Sequence, residues 1–167
     1  MRVALAIVVP LAAALLQGAL VPSMAIADAR PNLVILMAAS WAVAAGSREA
    51  IWWAFLGGLA ADLLSGGPLG ALALAGLLPV AAAGLGDQQL RPRSVVAGAL
   101  TVGVATLATT VIYLVILGAV GASLPDTTRL VSLTISGAIY NGVLAIATYP
   151  LARALHRSTE KQASFGW

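Results

Sequence analysis

The charges of this chain are few and clustered, and the long apolar blocks between them limit what it can fold into. Lys and Arg number 9 and Asp and Glu 6 in 167 residues. They fall at Arg2, at Asp28 and Arg30, at Arg48 and Glu49, at Asp62, between Asp87 and Arg93, at Asp126 and Arg129, and from Arg153 onward. With 60% hydrophobic and 9% charged residues, the chain lies far from a soluble domain, which is about a quarter charged. In lipid, a helix satisfies its own backbone hydrogen bonds. The fold class expected is therefore all-α, a polytopic membrane protein with six transmembrane helices.

The same composition excludes several functions. Cysteine is absent, so neither a disulfide framework nor a thiolate metal site can form. The single histidine, His156, cannot build a metal site without several carboxylates beside it, and no cofactor motif occurs. The net charge of +3 sits in short loops and tails next to apolar blocks. Anionic lipid headgroups, not nucleic acid, are the counter-charge that this placement suits.

Punctuation by Pro, Gly and charge places helices at about 3–21, 32–45, 51–64, 68–85, 94–117 and 129–155, in one integral membrane domain over 1–167 with a basic cytoplasmic tail over 156–167. The opening, Met1-Arg2 and an apolar run ending in "SMAIADAR", has the look of a secretory signal. Its run from Val3 to Val21 exceeds the ~7–15 residues of a signal core and approaches the ~20 of a span, so it is read as a retained first helix. Trp52 and Trp53 suit the headgroup level. With both termini in the cytoplasm, Arg2, Arg48, Arg91, Arg93, Arg153, Arg157 and Lys161 lie inside, and only Arg30 and Arg129 outside. That asymmetry obeys the positive-inside rule. Helices 2 and 3 come out short for a ~30 Å hydrocarbon core.

One acid does not fall in a loop. In "GGLAADLLSGGPLG", residues 57–70, Asp62 interrupts an apolar helix just before a Ser65-Gly66-Gly67-Pro68 break. An unpaired aspartate at mid-membrane costs ~2.5–3.5 kcal/mol, so it needs a local partner. Helix 4, opening at Pro68, exposes the N–H groups of Leu69, Gly70 and Ala71, and Asp62 can fold over onto such donors. Gly66, Gly67 and Gly70 then let the backbones approach. The alternatives are a protonated acid bonded to a hydroxyl, or a carboxylate facing a pocket. Tyr113 on helix 5 and Ser136 on helix 6 are the candidate partners by depth. Thr106, Thr109 and Thr110 stripe helix 5, and Ser132, Ser136 and Tyr140 stripe helix 6, but such hydroxyls commonly bond their own i−4 carbonyls. Small-residue pairs four apart, Gly57 with Ala61, Ala99 with Gly103 and Ala138 with Gly142, favour close helix packing.

No nucleophile with a base, metal cluster or pair of tuned carboxylates is visible, so the chain is read as no enzyme. The stretch "RPNLVILMAASWAVAAG", followed by "WWAFLGGLAADLLSGGPLGALALAGLL", resembles the rod shape-determining MreD family. Its Gly-x-x-x-Asp-Leu-x-Ser-Gly-x-x-Leu-Gly signature falls on Gly58, Asp62, Leu63, Ser65, Gly66, Leu69 and Gly70, with Pro68 as companion. The resemblance implies a fold similar to the substrate-binding component of energy-coupling-factor vitamin transporters. It further implies a non-enzymatic inner-membrane role in the elongation machinery, with MreC as direct partner and MreB, RodA and the elongation penicillin-binding protein reached through the complex. Besides a scaffold that binds a partner's transmembrane helix, the residues leave open a transporter subunit with a small-molecule pocket between helices 3, 5 and 6.

Overall fold

The computed structural model describes residues 2–25, 29–85 and 94–165, and within these every regular element is a helix. They are α1 (Arg2–Leu20), a 3-10 turn (Val21–Met24), α2 (Leu33–Ala45), α3 (Ser47–Ser65), α4 (Ala71–Gly84), α5 (Val95–Ala119) and α6 (Thr127–Phe165). Polar caps set three of the starts. Asn32 accepts the Ile35 N–H, Ser94 that of Ala97 and Asp126 that of Arg129, all at 3.1 Å. Each side chain meets a donor that the first helical turn leaves unpaired. Asp28 and the polar stretch from Asp87 to Arg93 lie outside the described residues.

Three boundaries differ from the sequence reading, one of them the end of α6, which continues to Phe165 through most of the stretch expected to be a tail from 156. Helix 3 is not short: it starts at Ser47 directly after Gly46, whose φ of 106° turns the chain, and its 19 residues rise about 28 Å. Arg48 and Glu49, taken for a turn, occupy its first turn. Helix 4 starts at Ala71 rather than Pro68 and has 14 residues. By length and composition, only α5 and α6 among the described residues are long and apolar enough to cross a membrane.

Helix α2 is the axis. Its 13 residues reach about 20 Å, and all but Leu33, Met37 and Ala45 are buried. It packs against each of the other helices. Around it, α1, α3, α4, α5 and α6 form an arc in which each neighbouring pair is in contact, and no comparable packing joins α6 back to α1. A short helix enclosed by others needs no apolar match to lipid, which is how a 13-residue segment fits such a bundle. The outward faces are apolar instead: Leu100 and Val104 on α5 and Ile139 on α6 are each more than 60% exposed.

The inner surfaces are built from alanine and glycine, so helix axes come close. Gly103 on α5 faces Gly142 on α6, where a Cβ at Gly103 would meet the Ala138 carbonyl oxygen at 3.3 Å. Gly57 of α3 sits against Pro10 of α1 and Val34 of α2. At the opposite end from Asp62, Trp41 stacks on Trp53 with ring centroids 4.6 Å apart, its indole N–H donates to Glu49 Oε2 at 3.2 Å, and His156 packs edge-on against it. Trp53 is therefore core, not a headgroup ring as expected; Trp52, 59% exposed, keeps the outward position. His156 is half-buried against the Trp41 indole.

Substituting Gly103→Val should force α5 and α6 apart and cost about 1–3 kcal/mol, as overpacking does. Gly18→Ala, where a Cβ meets nothing within 4 Å, should be neutral or stabilising. Thermal unfolding of the detergent-solubilised protein compares the two.

Candidate functional site

Helix α3 ends on the signature residues. Gly66 takes the left-handed conformation (φ 69°) that closes the helix, while the Ser65 hydroxyl donates to the Asp62 carbonyl at 3.2 Å and accepts the Gly67 N–H at 3.4 Å. The chain then reverses. The Ala71 N–H donates to the Pro68 carbonyl at 3.2 Å, and Gly70, at φ 87° and ψ −5°, has the dihedrals of the third residue of a type II turn. Pro68 thus belongs to the turn and not to the helix, because a left-handed residue at 70 interrupts any helix begun at 68.

Gly70 stands at the N-cap of α4 and has no side chain to cap with. Asp62 supplies one from the preceding helix. Its Oδ2 accepts the Leu72 N–H at 3.0 Å and the Ala73 N–H at 3.5 Å, and its Oδ1 lies 3.3 Å from the Leu72 nitrogen. These are the second and third N–H groups of α4, the pair an ordinary N-cap side chain would meet. The donors fall one to two residues beyond those expected, in step with the later start of the helix. The carboxylate is 2% exposed and lies in the last turn of α3.

Gly58, one turn before Asp62 on the same face, makes this reach possible. A Cβ at Gly58 would lie 2.6 Å from the Ala73 Cα and 2.7 Å from its nitrogen. Any side chain there would push the start of α4 away from the carboxylate that caps it. The Gly-x-x-x-Asp spacing is thus one device, a contact point and a cap on adjacent turns.

Beside the hairpin, a cavity of about 540 Å³ lies where α2 stops short. Asp62 and Ser65 of α3, Tyr113 and Thr109 of α5, Gln17 of α1 and Asn32 at the start of α2 line it. Of the two hydroxyl partners expected for Asp62, Tyr113 shares this cavity, whereas Ser136 is not among its lining residues and makes no hydrogen bond to the carboxylate. On α6, Leu133 and Gly137 face the cavity instead.

Sequence reasoning gave too little weight to the network at the start of α2. Asn141, fully buried, accepts the Asn32 N–H at 3.1 Å and donates to the Asn32 carbonyl and to the Thr106 hydroxyl, each at 3.0 Å. Gln17 accepts the Val34 N–H at 3.2 Å. A lone Asn deep in an apolar helix and a lone Gln in another were the available signals. Thr101, Thr106 and Thr110 bond their own i−4 carbonyls at 2.9 Å, the structural role expected of such stripes. Thr109 is the exception: it is 1% exposed and its hydroxyl has no partner among the described residues.

Chemically, the site holds one carboxylate whose oxygens are engaged by backbone N–H groups. Among the described residues no cluster of three His, Cys, Asp or Glu side chains could hold a metal. A helical bundle with apolar outer faces, two helices fit to cross a bilayer and a carboxylate-capped hairpin defines an integral membrane protein with a structural polar site. The sequence matches the model of the family described as rod shape-determining protein MreD over residues 1–159, and the chain belongs to that family. Membership gives it a role in determining rod shape. No curated protein and no solved structure matches it.

Asp62→Ala should cost about 1–3 kcal/mol by stranding the Leu72 and Ala73 donors, and Asp62→Asn, which keeps one acceptor, should cost less. Gly58→Val should cost a comparable amount, and the Gly58→Val/Asp62→Ala pair should lose less than the summed single effects, because one cap is broken either way. A double-mutant cycle by thermal unfolding measures both expectations.

Proposed function

We propose that the chain is a non-enzymatic scaffold subunit of the bacterial cell-elongation complex, and that it organises peptidoglycan synthesis by binding MreC directly. It would act as one integral domain of the inner membrane, crossing it six times with both termini cytoplasmic. MreB, RodA and the elongation penicillin-binding protein are then reached through MreC. The observation that carries the reading is the use of Asp62 as an internal cap. The most conspicuous acid of the chain is spent on holding two helices together, which suits a rigid docking element better than a reacting group.

The hairpin that this cap fixes has an apolar tip. Leu63, Leu64 and Leu69 are exposed by more than half, and a rigid ridge of leucines at a helix end is a surface on which a partner's transmembrane helix can pack. The seven-to-two distribution of basic residues supports the orientation. The enclosure of α2 by the other helices accommodates a short span.

The cavity favours a second reading, a small-molecule-binding subunit of the energy-coupling-factor type. Affinity purification of the tagged chain from native membrane separates the two. Recovery of MreC supports the scaffold; recovery of ATPases with a coupling subunit, and no MreC, overturns it. The Leu63→Ala/Leu69→Ala variant should lower MreC recovery severalfold at unchanged thermal stability, since both side chains point outward.

A further inference from the structure

The cavity above α2 has a chemistry that neither capping nor partner docking uses. The first turns of two helices reach its wall, α2 through its N-cap Asn32 and α4 through Leu72, its second residue, so the positive ends of two sets of peptide dipoles lie beside it. They are treated differently. At α4 the carboxylate of Asp62 answers the dipole. At α2 the caps are neutral amides, Asn32, Gln17 and Asn141, and no described carboxylate stands against that end.

The groups left unspent around this space are donors and a cation. Thr109 is buried with a hydroxyl unpartnered among the described residues, and the Tyr113 hydroxyl and the Gln17 amide nitrogen, on residues that also line the cavity, donate no hydrogen bond to a described residue. Arg30 lines the cavity from an exposed position and is also without a partner among the described residues. Each helix start contributes about half a positive charge, so among the described residues, after Asp62 offsets Arg30, the wall keeps an excess of about one positive charge.

The cavity reaches from Gly18 of α1 to Leu133 and Gly137 of α6, two helices that do not pack on each other directly. The segment after α1 lies against α6 here, with the Tyr140 hydroxyl donating to the Met24 carbonyl at 3.0 Å, so a lipid headgroup would have to reach the cavity beside that segment.

From these observations we infer that the cavity binds the anionic phosphate of a headgroup, with Arg30 at its mouth and Thr109, Tyr113 and Gln17 as neutral donors. The shared chemistry is a tetrahedral oxyanion, carried by a membrane phospholipid or free as phosphate. Asp62 does not repel it at full strength, because its charge is matched by the N–H groups of Leu72 and Ala73. The inference is independent of the partner reading, since binding is read on the isolated chain.

Native mass spectrometry of the purified full chain in detergent tests it, with dioleoylphosphatidylglycerol, with dioleoylglycerol, which has the same chains and no phosphate, and with inorganic phosphate as competitor. One phosphatidylglycerol should be retained about tenfold more tightly than dioleoylglycerol, and Arg30→Gln and Thr109→Val should each weaken it severalfold. Gly18→Leu, at a position where a Cβ meets nothing within 4 Å, should obstruct the cavity on its α1 side without disturbing the fold, as circular dichroism and monodispersity will report. Displacement of the lipid by inorganic phosphate would assign the site to the phosphate group itself; failure to displace it would assign the site to phosphate held on a lipid. Equal retention of dioleoylglycerol, or retention unchanged in all three variants, would overturn the inference.

Discussion

Two carboxylate oxygens held against the first turn of α4 by Asp62 are the constraint on which the rest of the structure depends. A helix that starts inside a packed apolar bundle exposes N–H groups that need a partner, and leaving such buried donors unsatisfied costs about 1–3 kcal/mol. Gly70 turns the chain but brings no cap. The cap arrives from the preceding helix, so the start of α4 is stable only while α3 is beside it. Position 58 must then be bare, because α4 begins directly on the α3 backbone. Turn, cap and contact point therefore stand or fall together, which accounts for so much of the family signature lying within 13 residues, from Gly58 to Gly70.

The bundle meets the same problem at α2 by other means. There the donors are met by amides from three directions: Asn32 within the helix, Gln17 from α1 and Asn141 from α6. Neutral caps satisfy hydrogen bonds and leave the dipole unanswered. Because α2 is short, the space beyond its start is a cavity and not packed core. Stability and the cavity are thus linked: the residues that cap a 13-residue helix at the centre of the fold also form the wall of the space beyond its start.

Much of this was legible in the sequence, and the limits have physical causes. The six helices follow from charge placement and from Pro and Gly punctuation, and α1, α2 and α5 end within a few residues of expectation. The break at 65–70 and a capping role for Asp62 could be read from a lone acid before paired glycines. The donors could not be fixed, because the start of α4 depends on the left-handed Gly70, and a φ value is not written in residue identity. Helix 3 was cut short because Arg48 and Glu49 look like a turn, whereas Glu49 is held by the Trp41 indole inside the bundle. Counting residues along helix 5 puts Tyr113 at the depth of Asp62, and in the structure it lines the same cavity. Ser136 missed it, because counting fixes depth and not the face a side chain occupies. Asn141 cannot be paired from the sequence, since its partners lie more than 100 residues away or on another helix.

The claim that Asp62 is the N-cap of α4 is tested most directly by residue-resolved amide hydrogen exchange in the intact protein. In the unsubstituted chain the Leu72 and Ala73 amides should be protected as strongly as amides in the middle of α3, although no i−4 carbonyl of their own helix can protect them. In Asp62→Ala these two amides should exchange far faster while mid-helix amides of α5 hold their protection. Equal protection of Leu72 and Ala73 with and without the carboxylate would contradict the account, because something other than Asp62 would then be holding the start of the helix.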